Sequence, residues 1–334
     1  MAVNETANEA ADEIRDVVVV GAGAAGLNAA LVLGRARRRV TVIDAGDPRN
    51  APAAHMHGFL SRDGLPPATL LDLGRAEVAR YGVRLVRGRV EAVDRGFRVR
   101  LAGGPVIGAR RVLVATGLRD ELPDIPGVRE RWGRDLLHCP YCHGYEVRDR
   151  PLAVLGTGPA AVHQALLLRQ WSDDVVFFPH TLEPTAADRE RLQARGLRMV
   201  EGEIEHLVVE DDRLRGIALA DGRVVPRAAA FLVPRMVPRD ELLAGLGCAR
   251  DGDGRIAADR TGRTSVPGVW AAGNVVDPRA QVVTAAGMGA AAAFALNADL
   301  LDEDVDNAVR RHRAAAAAAG TADAPGAPRD GAGR

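Results

Sequence analysis

Apolar positions along the chain repeat one order of elements twice: a strand, a glycine-rich turn, a helix and a second strand. The segments that carry this order are strands over 16–20, 40–43, 152–155 and 175–178, and helices over 27–37 and 161–171. Short continuous apolar runs are typical of strands buried in parallel sheets, and helices make the crossovers between such strands. The pattern therefore predicts an α/β fold with two Rossmann-like domains, each doubly wound and three-layered.

Two more apolar segments indicate how the domains are arranged. One, over 111–117, closes the first strand–helix–strand region, and another, over 268–273, comes late and has no such region of its own. The late segment makes best sense as a strand that returns to the first domain. That domain is therefore predicted to be discontinuous, over 14–118 and 243–313, with a smaller domain inserted over 119–242.

Composition limits the class of protein. Residues 1–13 and 314–334 contain little that could be buried and are predicted to be disordered tails. The first tail is acidic and polar, unlike a signal peptide, and no apolar run approaches membrane-spanning length. Basic and acidic residues balance at 44 each, so there is no electrostatic footprint for nucleic acid. We expect a cytoplasmic protein with no nucleic-acid or membrane partner.

A glycine fingerprint follows the first predicted strand. Gly21, Gly23 and Gly26 are spaced GxGxxG at the start of the first helix, and Asp44 ends the next strand. The first glycine allows the tight turn, the second lets the backbone approach a pyrophosphate, and the third lets helix and strand pack closely. The acidic residue binds ribose hydroxyls in such sites. The combination predicts a dinucleotide site.

A second glycine fingerprint, over 156–161, has the variant spacing GxGxxA in the same context. Sites for NADPH need a cation near the end of the following strand to hold the 2′-phosphate. This chain has Phe-Phe-Pro-His-Thr-Leu-Glu there, over 177–183, without an arginine. The pattern favours a retained fold with a degraded nucleotide site.

Cys139 and Cys142 form a CxxC pair between the two fingerprints and account for two of the three cysteines in the chain. A zinc site would need two more ligands, and Cys248 is single; CxxCH is also the haem-attachment pattern, which requires export. The pair is best interpreted as a redox dithiol, and a helix starting at Cys142 would favour a thiolate there. Cys248 itself is most simply a small buried hydrophobe.

Several acid–base groups lie near this pair in the sequence or after the late strand. His138 and His143 flank the cysteines, and dithiol chemistry must move protons at neutral pH. Asp277, just after the late strand, is a candidate to orient one of these histidines. His55 and His57 fit either a pocket lining or a surface loop, and the sequence leaves both alternatives open.

With these motifs in this order, the chain resembles the low-molecular-weight thioredoxin reductase family of flavoproteins over about residues 15–312. The resemblance implies an FAD domain interrupted by a smaller NADPH-type domain that carries the CxxC, and a homodimer. It also implies a helix that begins near residue 281 and directs its N-terminus at the flavin. The residues that it assigns to the FAD site are Gly21, Gly23, Ala24, Ala25, Gly26, Asp44, Ala45, Ala115, Thr116, Gly117, Gly273, Asn274, Gln281, Val282 and Val283.

This chain departs from the reductase pattern at several positions. His143 replaces an acidic residue after the second cysteine, Phe-Phe-Pro-His over 177–180 replaces a His-Arg-Arg-like phosphate site, and Asn274 replaces an Asp. The dithiol motif is Cys-Pro-Tyr-Cys instead of Cys-Ala-Thr-Cys. The first two departures and the dithiol motif are similar to the branch of the family that forms disulfides in gliotoxin, holomycin and romidepsin. Members of that branch pass electrons to dioxygen and do not depend on NADPH.

The resemblance leads to a specific functional hypothesis. A small-molecule dithiol is expected to attack the disulfide at Cys139, and Cys142, the flavin-facing cysteine of the family, is expected to reduce FAD, which is reoxidised by O₂ to give H₂O₂. His138 or His143 would serve as base; NADPH and metal are not expected. An NADPH-dependent or other donor-dependent disulfide reductase, and a flavin-bound redox sensor without turnover, remain the alternatives.

Overall fold

The computed structural model describes residues 14–322, with side chains to residue 317. Its strands are β1 (Arg15–Val20), β2 (Val40–Asp44), β3 (Arg84–Arg87), β4 (Val90–Val93), β5 (Arg98–Leu101), β6 (Val106–Val114), β7 (Leu118–Glu121), β8 (Leu136–Leu137), β9 (Leu152–Leu155), β10 (Val175–Phe178), β11 (Arg198–Met199), β12 (Ile204–Glu210), β13 (Arg213–Leu219), β14 (Val224–Pro226), β15 (Ala229–Phe231), β16 (Arg235–Pro238) and β17 (Val269–Ala271). Its helices are α1 (Ala24–Arg35), α2 (Pro67–Ala79), α3 (Val128–Arg131), α4 (Pro140–His143), α5 (Ala160–Leu168), α6 (Ala186–Ala194), α7 (Glu241–Gly245) and α8 (Val282–Ala322), with a 3₁₀ turn at Gly273–Val275.

The first sheet has the order β3-β2-β1-β6-β5-β4, and β17 also pairs with β6. The strands β3, β2, β1, β6 and β17 run parallel, whereas β4 and β5 are antiparallel additions. The late strand therefore lies in the first sheet. Residues on the two faces of the sheet belong to two different buried clusters, so apolar contacts cover both faces, as in a three-layer domain.

The second sheet is parallel throughout, in the order β11-β10-β9-β15-β8. It also separates two buried clusters. A small antiparallel sheet of β12, β13 and β14 packs into the cluster on one of its faces. The sequence pattern missed these antiparallel strands, because charged residues interrupt the apolar ones in β12 and β13.

Two strands carry the chain between the sheets. β7 leaves the first sheet region and β16 returns to it, and the two pair antiparallel with Leu118 opposite Pro238. After the return, Leu243, Leu246 and Cys248 are buried against the first sheet. The chain therefore passes between the two domains twice, through this pair of antiparallel strands.

Helix boundaries differ from the sequence expectation where glycine and alanine leave the pattern ambiguous. α1 begins at Ala24, three residues before the predicted start, since alanine favours helix from the first turn onward. α8 continues to Ala322, so residues 314–322, which were predicted to be disordered, are helical. The alanine-rich sequence extends the helix without needing burial. Residues 1–13 and 323–334 lie outside the described part of the chain.

The expectation that no apolar segment approaches membrane-spanning length was wrong for α8. By length and composition alone, Val282–Ala317 could cross a membrane. However, Ala292, Leu296 and Leu300 are buried in the cluster that α1 shares. Its carboxylate at Asp299 also pairs with Arg111 of β6 at 2.6 Å. One face of α8 therefore packs against the first domain.

Candidate active site at a disulfide beside a dinucleotide cavity

A cavity of about 1320 Å³ lies where the two domains meet. Its walls come from the ends of β1 and β2, the loop over 115–117, the CxxC segment and the start of α8. Of the residues predicted for the cofactor, the following line the cavity: Gly21, Gly23, Ala24, Ala25, Asp44, Ala45, Ala115, Thr116, Gly117, Gly273, Asn274, Gln281 and Val282. The same cavity is lined by Cys139, Cys142, His138 and His143. Folding therefore joins two motifs that are more than a hundred residues apart.

The first fingerprint has the geometry that a pyrophosphate requires. Gly21 has a positive φ of 106°, which a side chain would strain, and a Cβ there would collide with the backbone of Ala115. A Cβ on Gly26 would collide with Gly21, so the absence of a side chain lets α1 pack on the end of β1. A Cβ on Gly23 would meet nothing within 4 Å, which leaves open space before the N-terminus of α1. The residues present therefore fit the dinucleotide FAD.

Asp44 lies at the end of β2, on the cavity wall. One carboxylate oxygen accepts a hydrogen bond from the backbone N–H of Gly46 at 3.1 Å, and the other accepts from Arg75 at 3.0 Å. Arg75, on α2, also lines the cavity. Arg75 holds Asp44 at the position where a ribose would bind.

The two cysteines form a disulfide with a Cα–Cα distance of 5.2 Å. Cys139 is the N-cap of α4, and its Sγ accepts a hydrogen bond from the backbone N–H of Cys142 at 3.2 Å. The helix thus begins just after Cys139, and Cys142 lies within its first turn. Pro140 is at the first helical position, where its fixed φ and missing N–H suit a helix start.

Gln281, immediately before α8, lies beside the disulfide. Its Nε2 is 4.0 Å from the Sγ of Cys139 and 4.0 Å from the Sγ of Cys142. The start of α8 therefore borders both the predicted flavin cavity and the sulfur atoms. This contact brings the CxxC of the second domain against a helix of the first.

His138 is half-buried and held through its own backbone and ring. Its carbonyl accepts from the Gln164 amide at 2.6 Å, and its Nδ1 lies 3.3 Å from the carbonyl of Leu232. Burial lowers the pKa of His138, and the nearby positive charge of Arg49 lowers it further. The ring is therefore neutral at pH 7.

His143 directly follows Cys142 and is also half-buried. Burial lowers the pKa of His143; the carboxylate of Glu146 opposes that effect, and His57 and His55 add to it. A neutral imidazole at this position can accept a proton at pH 7. The two flanking histidines therefore have different neighbours: His138 lies near the Arg49–Asp120 pair, and His143 lies near Glu146, His57 and His55.

Three predicted residues lie elsewhere. Asp277 does not line the cavity; its carboxylate accepts from the backbone N–H of Arg279 at 3.0 Å, and its carbonyl accepts from Asn274 at 2.9 Å. The structure therefore does not bring Asp277 to a histidine, because its side chain stabilises its own turn. Val283 is outside the cavity on an exposed face of α8. Gly26 is also outside the lining and acts through close packing.

Sequence reasoning missed an ion pair and a carboxylate cluster at this site. Arg49 donates to Asp120, and both line the cavity although they are 71 positions apart. His57 lies 3.3 Å from Asp63 and 3.5 Å from Glu146. Glu146 could have been flagged, since it lies only four residues after Cys142. No sequence signal connects His57 with it.

The second fingerprint is followed by a residue with a structural role. His180, just after β10, has a positive φ of 53°, and its Nδ1 accepts a hydrogen bond from the backbone N–H of Ile204 at 3.0 Å. Burial lowers the pKa of His180, and the carboxylate of Glu203 opposes that effect. A nucleotide 2′-phosphate at the end of β10 would therefore meet a neutral ring and a nearby carboxylate.

Cys248 lies away from the cavity and is buried. Its sulfur is 3.5 Å from the hydroxyl of Thr264, and burial raises the pKa of the Cys248 thiol. Within residues 14–322, no group of three or more His, Cys, Asp or Glu side chains is arranged to hold a metal ion.

Comparison with known proteins identifies the relatives of this chain. The family model of the pyridine nucleotide-disulphide oxidoreductases matches residues 15–290. The thioredoxin reductase sirT of Leptosphaeria maculans is 33% identical over 322 residues, which cover 87% of this chain and 96% of that protein. The thioredoxin reductase of Streptomyces coelicolor is 30% identical over 314 residues, covering 87% of this chain and 97% of the relative.

Solved structures show the same likeness. The crystal structure of HlmI is 65% identical and superposes with a TM-score of 0.90, covering 91% of this chain and 98% of HlmI. An oxidoreductase from Agrobacterium tumefaciens is 37% identical with a TM-score of 0.81, covering 86% of this chain and 99% of that one.

Proposed function

Because the chain belongs to the pyridine nucleotide-disulphide oxidoreductase family and is a flavin-dependent, thioredoxin reductase-like disulfide oxidoreductase, we propose that it oxidises a small-molecule dithiol to a disulfide with O₂ as acceptor. The observation that carries this proposal is the disulfide in the wall of the dinucleotide cavity, with both sulfur atoms 4.0 Å from Gln281. In this arrangement, electrons from a substrate thiol have a short path to a bound flavin.

The first half of the reaction is thiol–disulfide exchange. One thiolate of the substrate attacks Cys139 and releases the Cys142 thiolate, and the second substrate thiolate then displaces Cys139, so a substrate disulfide forms and the enzyme disulfide is reduced. His143 accepts a proton released by the substrate thiols. FAD, when bound, would supply the two-electron redox chemistry that oxidises the Cys139–Cys142 dithiol and reduces O₂ to H₂O₂.

Other residues around the cavity would bind the separate parts of FAD. Gly23 and the N-terminus of α1 would hold the pyrophosphate, and Asp44 with Arg75 would hold the adenosine ribose. The N-terminus of α8 favours negative charge on a group bound in front of it. Asn274 donates both amide hydrogens to backbone carbonyls at 2.9 Å, and its amide oxygen accepts from Arg49 at 3.3 Å. It would present the remaining lone pair of that oxygen to the ribityl chain.

The second fingerprint argues against NADPH as the electron donor to the flavin. A 2′-phosphate at the end of β10 would find His180 occupied by Ile204 and Glu203 nearby. Arg189, on α6, is paired with Glu201 at 2.5 Å. Recognition of NADPH needs free cations at this position.

A disulfide reductase that uses NADPH is the second candidate. The names of relatives such as sirT favour it, since they are called thioredoxin reductases. The second fingerprint also keeps its close turn, because a Cβ on Gly156 would collide with the backbone of Pro179. A homodimer remains a prediction under either function.

The deciding experiment follows the flavin absorbance of the purified protein without oxygen. Dithiothreitol is added to one sample and NADPH to another. The proposal requires that dithiothreitol bleach the flavin and that air restore it with one H₂O₂ per flavin. Rapid bleaching by NADPH, with slow or absent bleaching by dithiol, would replace the proposal with the reductase.

A further inference from the structure

We propose that His57, held between Asp63 and Glu146, is a positioning residue that sets the orientation and protonation of His143 during dithiol oxidation. This inference rests on the proposed function and deepens it. It concerns a loop of the first domain, after β2, that meets the segment following the CxxC.

The geometry places the four side chains in one cluster. The Nδ1 of His57 lies 3.3 Å from a carboxylate oxygen of Asp63, and its Nε2 lies 3.5 Å from a carboxylate oxygen of Glu146. The ring of His57 meets the ring of His143 edge to face, with centroids 6.3 Å apart. The His57 side chain is only 19% exposed, whereas Asp63 is 65% exposed. The cluster therefore leads from the half-buried His143 to solvent.

The backbone also holds the Asp63 carboxylate in place. Its other oxygen accepts the backbone N–H of Gly58 at 2.9 Å, which lowers the pKa of Asp63. His57 thus has a carboxylate oxygen near each ring nitrogen, an arrangement that restrains the ring. Glu146 is shared, because it also acts electrostatically on His143.

The cluster has a chemical use because each turnover removes two protons from substrate thiols. His143 must be neutral to accept one of them and must lose it before the next cycle. The charged and titratable groups that act on His143 are Glu146, which favours its protonation, and His57 and His55, which oppose it. Those that contact His57 are Asp63, Glu146 and His143. His57 and Glu146 therefore act on His143 in opposite directions.

The test measures the rate of anaerobic flavin bleaching by dithiothreitol from acidic to alkaline pH. Relative to wild type, His57→Gln should move the acid limb of the profile up by about half a pH unit, the size expected for a partly solvated charge several ångströms away. Glu146→Gln should move it down by about as much. The maximal rate of His57→Gln should fall roughly tenfold, since the ring of His143 loses its support.

Controls keep this test interpretable. His206→Gln removes an exposed histidine on β12 and should leave the profile unchanged. Asp63→Asn keeps the His57 ring but weakens its hold at Nδ1, so it should lower the maximal rate less than His57→Gln does, and it serves if His57→Gln does not fold. Superimposable wild-type, His57→Gln and Glu146→Gln profiles, or shifts in the same direction, would overturn the inference.

A failure of the proposed function gives a different result. In that case wild-type flavin is bleached by NADPH and not by dithiol. The same variants are then compared in NADPH-dependent reduction of oxidised lipoamide, in which the enzyme dithiol also exchanges protons. Opposite pH shifts there would keep the role of His57 and reject only the oxidase.

Discussion

Arg49 donates to both carboxylate oxygens of Asp120, each at 2.8 Å. Arg49 is in the loop after β2 of the first domain, and Asp120 is in β7, where the chain crosses to the second. A second pair, between Arg239 and Asp47, ties the returning segment to the same loop at 2.5 Å. Both segments that connect the two domains are therefore held next to the cavity, and the disulfide lines the wall of the same cavity.

Arg49→Met is expected to destabilise the protein by about 3 kcal/mol, because it leaves the buried Asp120 carboxylate without its partner. Urea unfolding at neutral pH measures the change. The matched control is Arg119→Met on the same strand, whose partner Glu121 lies at the surface; it should cost less than about 0.5 kcal/mol. Equal costs for the two variants would mean that the Arg49 pair contributes no more than a surface pair.

Cys139→Ser and Cys142→Ser are each expected to abolish dithiol-dependent H₂O₂ formation, since neither variant can form the disulfide. Both should retain FAD, because neither sulfur belongs to the fingerprint. Activity and flavin content per chain are measured together. Cys248→Ser is the control and should remain active, as that thiol is buried away from the cavity. Turnover by either CxxC variant would rule out the exchange mechanism.

Gly23→Val is expected to lower FAD affinity by at least tenfold without unfolding the apoprotein. The reason is that its side chain would point into space that is empty of protein atoms and is needed by the pyrophosphate. Flavin absorbance reports binding, and circular dichroism reports the fold.

Gly158→Val makes the equivalent change in the second fingerprint, where a Cβ also meets no atom within 4 Å. For an oxidase that does not use NADPH, this variant should keep wild-type dithiol oxidation. Loss of activity in Gly158→Val would indicate that a nucleotide at the second site takes part in catalysis.

Asp16→Asn is expected to reduce stability by about 1 to 2 kcal/mol at pH 7. Burial raises the pKa of Asp16, but hydrogen bonds from Arg39 and Arg110 outweigh it and hold the pKa below its ordinary value. A depressed folded-state pKa stabilises above the unfolded pKa, and this contribution disappears as pH falls through the folded value. The difference between wild type and variant, measured by urea unfolding, should therefore shrink below about pH 4. A difference independent of pH would show that charge is not its source.

The sequence by itself determined the elements that have local signals. Four-residue apolar runs marked β9 and β10, and glycine spacing identified the turn from β1 to α1, because buried strands and a pyrophosphate turn each demand particular residues at fixed spacing. The same logic selected Cys139 and Cys142. The same reasoning failed at Asp277, because a position just after a strand did not bring the carboxylate next to a histidine.

Only the tertiary structure decided which distant groups meet. His57 contacts Glu146, Arg49 pairs with Asp120, and Gln281 reaches the disulfide, across separations that no periodicity encodes. Such contacts depend on how the two sheets are joined through β7 and β16, and on where loops run after each strand. Side chains of ordinary polar type acquire a role there because packing fixes their partners and removes them from water, which raises the strength of each charge interaction.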